Sequence, residues 1–188
     1  MLTNKPGKSH HTYMENYVLF DLETTGISTI KDRVVEIAAI KVENGIIVDE
    51  YSTLVNPEIP IPDNAKKVNG ITDRMVKNSP TFDNALYTFI KFAGENVLVG
   101  HNIQIFDLKF IYCDSLLYFG TIPGNDFINT LMLAKIYLPE LEHHSLTNMA
   151  KYYNINIEGA HRALADCKIN QKVSELLKKE RKVNLCKT

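Results

Sequence analysis

Short apolar runs separated by turn residues fill the first half of the chain and predict strands before helices. Residues 17–22 begin with Tyr17-Val18-Leu19-Phe20, a continuous apolar run of the kind that sits buried in a sheet. Residues 34–42 and 46–55 predict two more strands. Glu43-Asn44-Gly45 joins them, and Asn-Gly is the strongest short hairpin signal. Residues 56–62 carry Pro57, Pro60 and Pro62 and form a rigid connection, followed by a short helix over 63–68. Ser79-Pro80-Thr81 opens a longer helix. Phe82, Ala85, Leu86, Phe89, Ile90 and Ala93 recur at helical spacing on one face, and Gly94 stops it.

The second half alternates. Residues 97–99 predict a short buried strand, 106–119 a helix, 126–129 a fifth strand, and 130–137 and 145–153 two helices. In the 145–153 helix, Leu146, Met149 and Ala150 face inward. A last helix runs from about Arg162 towards Lys178. Hairpin-linked strands followed by alternating strands and helices define an α/β domain with a mixed five-stranded sheet flanked by helices. The expected organisation is a flexible leader over 1–16, one domain over 17–178 and a basic tail over 179–188, with no internal repeat.

Composition adds exclusions more than content. With 188 residues, 45% hydrophobic and 23% charged, the chain can bury a real core. No apolar run approaches a membrane span, so no membrane partner is expected. Residues 1–16 lack the apolar stretch of a signal peptide, which points to the cytoplasm. Cys113, Cys167 and Cys186 include no C-x-x-C pair, against a disulfide framework or structural zinc. The net charge of −1 excludes a generic polyanion binder. Residues 168–188 nonetheless hold seven basic side chains against two acidic ones. They read as the solvated end of a helix or as a contact to a nucleic-acid backbone.

Candidate chemistry lies at the ends of predicted elements. Asp21 and Glu23, at i and i+2 of a strand end, point to one face. Like charges that close repel, and a divalent cation between them resolves the conflict. Thr24-Thr25-Gly26 then turns the chain beside them. Asp107 enters the first turn of a helix, where a carboxylate also suits the helix dipole. Five residues along a helix span about 140°, so His161 and Asp166 reach one site only if His161 lies in the loop before the helix. His143-His144 resemble a metal pair but precede a helix start at Ser145, where a structural or capping role is favoured.

Three segments in order, Asp21-Leu22-Glu23-Thr24-Thr25-Gly26, His101-Asn102 with Phe106-Asp107, and His161-x-Ala163-x-x-Asp166, resemble the DEDD superfamily of 3′–5′ exonucleases, in its histidine subgroup. The resemblance covers about residues 17–178. It implies a ribonuclease H-like fold and hydrolysis of the terminal phosphodiester at a 3′ end, releasing nucleoside 5′-monophosphates. Two divalent cations, Mg²⁺ or Mn²⁺, are implied as cofactors. Asp21, Glu23 and Asp166 would hold the first, with Asp21 bridging to a second that Asp107 supports. His161 would be the general base. Thr24, Thr25, Gly26, Asn102 and Phe106 would contact the terminal nucleotide.

The implied substrate is DNA with a single-stranded or mismatched 3′ end, in proofreading or repair, with a DNA polymerase as a possible partner. An exoribonuclease acting on small RNA or tRNA ends, and a non-catalytic polymerase accessory module, are the alternatives. The complete carboxylate and histidine set speaks against the last. Three positions depart from the common pattern. Three residues, 103–105, separate Asn102 from Phe106 where two are usual. Asn69-Gly70-Ile71 stands where His-Gly-Ile is frequent, and Asn129-Thr130-Leu131 where Asp-Thr-Leu is frequent.

Overall fold

The structure, a computed structural model, describes residues 2–185, with side chains to residue 180. The elements run β1 (Leu2–Thr3), β2 (Ser9–His10), β3 (Asn16–Thr24), β4 (Val34–Glu43), β5 (Ile46–Leu54), α1 (Asp63–Asn69), α2 (Asp73–Val76), α3 (Phe82–Ala93), β6 (Leu98–Gly100), α4 (Asp107–Phe119), β7 (Ile122–Pro123), β8 (Phe127–Asn129), α5 (Thr130–Tyr137), α6 (Leu146–Tyr152) and α7 (Ala163–Leu185). The main sheet has six strands in the order β2-β8-β6-β3-β4-β5. β2, β8, β6 and β3 pair in parallel; β3, β4 and β5 form an antiparallel meander. The hairpin turn puts Asn44 and Gly45 at φ 52° and 80°, the left-handed pair that an Asn-Gly turn demands.

Strand alternation explains the layering. Val18, Phe20 and Leu22 face α3 and α4, where the Phe20 and Phe89 rings lie 4.9 Å apart in a core with Leu86, Leu108 and Phe110. Tyr17 and Leu19 face the opposite side and pack with Ala38, Ile40 and Val42 of β4 against Ala163 and Cys167 of α7. Each fully buried large side chain contributes roughly 1.5–3 kcal/mol. α5, α6 and α7 close the second layer through Ala134, Met149, Ala150, Val173 and Leu177. On β3 this alternation continues past Leu19, so Asp21 and Glu23 fall on the α7 side.

Two expectations differ from what is observed. The 1–16 leader is paired rather than loose, and it supplies the sixth strand. Ser9 and His10 run parallel to Phe127 and Ile128, and Leu2–Thr3 pairs with Ile122–Pro123. Asp126 anchors it by accepting the Lys8 N–H at 2.7 Å, and His10 Nε2 lies 2.7 Å from its other oxygen. Gly7 permits the approach, because a Cβ there would sit 2.0 Å from the Asn125 carbonyl oxygen. Two-residue strands leave no periodicity to read, yet they cover the otherwise open edge of β8. At the other end α7 continues to Leu185, past the expected start of the tail. Lys168 and Lys178 of the basic run pair with Glu50 and Glu15. The side chains of Arg181 and Lys182, and residues Cys186 and Lys187, lie outside what is described. Among the described residues no helix is long and apolar enough to cross a membrane.

Candidate active site

Three carboxylates converge where the end of β3 meets the first turn of α7. One oxygen each from Asp21, Glu23 and Asp166 lies within 4.8 Å of the others. The helix comes this close because Cys167, fully buried, is small. Its sulfur rests 3.5 Å from the Ala38 carbonyl and 3.9 Å from that of Leu19. Asp107, at the first position of α4 and 3% exposed, stands outside the triad. Its Oδ1 accepts the Leu22 N–H at 3.2 Å and so ties α4 to the strand between Asp21 and Glu23.

The electrostatics are those of a site built for a cation. Burial, then the charges of Asp107, Asp166, Glu23 and Glu36, pushes Asp21 well above the usual carboxylate range. Burial and the Asp166 and Glu36 charges push Glu23 up to about 8, against a hydrogen bond from Asn69 that lowers it. Burial lifts Asp107 to about 7, and its backbone hydrogen bonds oppose the rise. Asp166 is raised for the same first reason, with the His161 N–H acting against it. Hard oxygen ligands held in mutual repulsion fit Mg²⁺ or Mn²⁺, because an ion removes the repulsion and favours the ionised forms.

His161 lies in the loop before α7, as its spacing from Asp166 requires. It adopts φ 68°, a left-handed conformation uncommon for residues other than Gly, though His, like Asn and Asp, enters it more often than most. Its N–H donates to Asp166 Oδ2 at 3.1 Å, and its side chain is exposed. Asn102, also left-handed, has φ 63°. Its N–H donates to Asn129 Oδ1, which also accepts from Leu131 and caps α5. His101 packs beneath this loop. Its Nε2 donates to the His144 carbonyl at 2.9 Å, and its Nδ1 lies 3.1 Å from the Thr130 hydroxyl, which also lies 3.2 Å from the Gly100 carbonyl. Burial lowers the His101 pKa to about 4, so it is a neutral structural residue. His144 in turn bonds the Leu138 carbonyl and exposed His143 lies beside Glu142, so the two do not form a metal pair.

Next to the carboxylates opens a cavity of about 310 Å³. Glu23, Thr24, Thr25 and Gly26 border it together with Val68, Asn69 and Phe106, and Ile27 and Val68 expose an apolar rim. Asn102 is not among its lining residues. Thr25 borders the cavity, and its side chain is also committed to the loop that follows. It is 1% exposed, its hydroxyl donates to Asp32 and accepts the Arg33 N–H, and its own N–H donates to the Arg33 carbonyl. Its hydroxyl and N–H thus hold the loop. Asn69, 4% exposed, donates to the Thr24 carbonyl and accepts the Ile71 N–H, fixing the cavity floor. Glu36 was not apparent from sequence, although a glutamate inside the apolar run of residues 34–42 is a readable anomaly. It is 3% exposed, lies opposite Glu23 in the β3–β4 ladder, and binds Arg162 and the Ala163 N–H.

The fold and the carboxylate cluster define a class: a mixed α/β domain whose acidic cluster could hold a divalent cation. The model of the RNase_T exonuclease family matches residues 18–174, and the chain belongs to that family, whose members generally use divalent metals. The chain is 38% identical over 157 residues to the DNA polymerase III subunit epsilon of Aquifex aeolicus, covering 84% of this chain and 77% of that one. It is 38% identical over 162 residues to the PolC-type DNA polymerase III of Clostridium perfringens, covering 86% of this chain and 11% of that much longer one. Among solved structures it resembles an exonuclease X bound to 5′-overhanging duplex DNA, at 27% identity and a TM-score of 0.70, covering 86% and 90% of the two chains. The chain thus spans about a tenth of the PolC-type relative and about three quarters of the epsilon subunit.

Proposed function

We propose that this chain is a 3′–5′ exonuclease that hydrolyses the terminal phosphodiester of single-stranded or mismatched DNA ends, releasing nucleoside 5′-monophosphates during proofreading or repair. The observation that carries this reading is the convergence of Asp21, Glu23 and Asp166 within 4.8 Å beside a cavity walled by Phe106 and Val68. Similarity to an epsilon subunit, to PolC-type polymerases and to a DNA-bound exonuclease X supports DNA as substrate, a DNA polymerase as partner and the cytoplasm as location.

Asp21, Glu23 and Asp166 would hold one Mg²⁺ or Mn²⁺, with Asp21 shared with a second ion that Asp107 supports. The pair, when bound, neutralises the phosphate, lowers the pKa of the attacking water and stabilises the leaving 3′ oxygen. His161 takes the proton from that water as general base. Phe106 offers a ring against which the terminal base stacks, and Thr24 and Gly26 supply the polar edge of the cavity. Asn102 approaches the end from the loop over 102–106, and Thr25 borders the cavity while holding the 24–33 loop in shape.

The test incubates purified protein with single-stranded DNA, 3′-mismatched duplex DNA and matched single-stranded RNA, each with Mg²⁺, Mn²⁺ or EDTA. Metal-dependent shortening of both DNAs, abolished in Asp166→Ala, is expected. Faster shortening of the RNA would overturn the DNA assignment, since only the 2′-hydroxyl distinguishes the two at the reacting end. Absence of cleavage with either metal would overturn the catalytic reading in favour of an accessory module.

A further inference from the structure

Glu36 is a buried charge in the interior of the sheet, on β4 between β3 and β5, where an ionised side chain carries a large desolvation cost unless it is fully partnered. Its partners come from a single place in the chain 126 and 127 residues away. Oε1 accepts from Arg162 Nη2 at 2.7 Å, while Oε2 accepts both Arg162 Nε and the Ala163 N–H at 3.0 Å. Those two residues directly follow His161, whose left-handed backbone (φ 68°) is unfavourable on its own. Asp166 grips the His161 N–H from the other side at 3.1 Å. The turn is therefore clamped between the first turn of its own helix and the sheet. A buried ion pair adds little net stability over an apolar pair of equal volume, so its value lies in what it fixes in place.

We propose that Glu36, acting through Arg162 and Ala163, is the positioning residue that holds His161 in its working conformation. This rests on the general-base role given to His161 above. Glu36→Gln retains a carbonyl acceptor but loses the bidentate, charge-assisted grip on Arg162. Arg162→Met removes the other half of the pair and leaves Glu36 with the Ala163 N–H alone, so its fold is checked alongside that of Glu36→Gln. The two variants change the local charge in opposite senses, so a loss common to both reports position and not field.

The experiment is a double-mutant cycle on the full chain, reading kcat, KM for a DNA oligonucleotide and Mn²⁺ affinity by calorimetry, with circular dichroism as the folding check. Glu36→Gln and Arg162→Met should each lower kcat about tenfold, with KM and Mn²⁺ affinity within threefold of wild type. In a His161→Ala background neither should change kcat by more than twofold, because the group being positioned is gone. Equal losses with and without His161, or no loss in its presence, would overturn the inference. If Glu36→Gln fails to fold, the same criteria apply to Arg162→Met. A His161→Ala protein that cleaves at the wild-type rate would instead overturn the general-base reading itself, an outcome separate from either of these.

Discussion

Asp21 is buried among four other carboxylates, Asp107, Asp166, Glu23 and Glu36. Removing such a charge relieves repulsion when no cation is bound. Asp21→Asn should therefore abolish nuclease activity while keeping or raising the melting temperature in EDTA. A metal-free variant that unfolds would contradict this. His161→Ala should slow cleavage by about 10²–10⁴-fold, the range for one positioned acid–base group, with Mn²⁺ affinity unchanged by calorimetry. A parallel fall in affinity would make His161 a ligand. These residues were legible in the sequence because each is polar where its element is apolar, and because three short patterns occur in order. The Glu36–Arg162 pair was not, since nothing local links residues 126 positions apart. The loop closure made by the Thr25 hydroxyl with Asp32 and Arg33 was hidden for a related reason, since spacing does not reveal it.

At the scale of elements, Asn129 joins two of them. One side-chain oxygen caps α5 through Leu131 and anchors Asn102 in the neighbouring loop. Asn129→Ala should cost about 0.5–2 kcal/mol, the usual loss for an N-cap. It should also raise KM more than it lowers kcat, because the 102–106 loop loses its tether. Asn129→Asp should leave both stability and KM near wild type, since both bonds need only an acceptor oxygen; thermal melts and steady-state kinetics on the pair decide the matter. The long elements followed from sequence. The Asn-Gly hairpin appears as predicted, and α3 spans Phe82–Ala93 with Phe82, Ala85, Leu86, Phe89 and Ala93 buried. The sixth strand did not, because two residues of β2 carry no period and their place depends on Asp126, far along the chain.

For the whole molecule, protons and metal stabilise the same carboxylates and give stability opposite pH dependences. Glu23 at about 8 and Asp107 at about 7 lie above their ordinary values near 4, so the folded protein binds more protons than the unfolded chain between those limits. Stability of the metal-free protein must then fall as pH rises through that window. Differential scanning in EDTA should give a higher melting temperature at pH 5.5 than at pH 8, and saturating Mn²⁺ should reverse the order. An EDTA profile that rises with pH would show that the carboxylates are not in conflict. The leader is a second global contributor: deleting residues 2–12 strips β2 from β8 and removes the Lys8 and His10 contacts to Asp126. The melting temperature should drop by several degrees, a shift of about 2–4 °C per kcal/mol for a chain of this size, with the activity of the remaining folded protein retained.

The most direct measurement follows a DNA oligonucleotide labelled at its 3′-terminal nucleotide through the first turnover with Mn²⁺, with EDTA and with Asp166→Ala. The expected result is label released as a nucleoside 5′-monophosphate with Mn²⁺ alone. Label released in longer fragments, or released equally by Asp166→Ala, would contradict a site in which Asp21, Glu23 and Asp166 act together on a 3′ end.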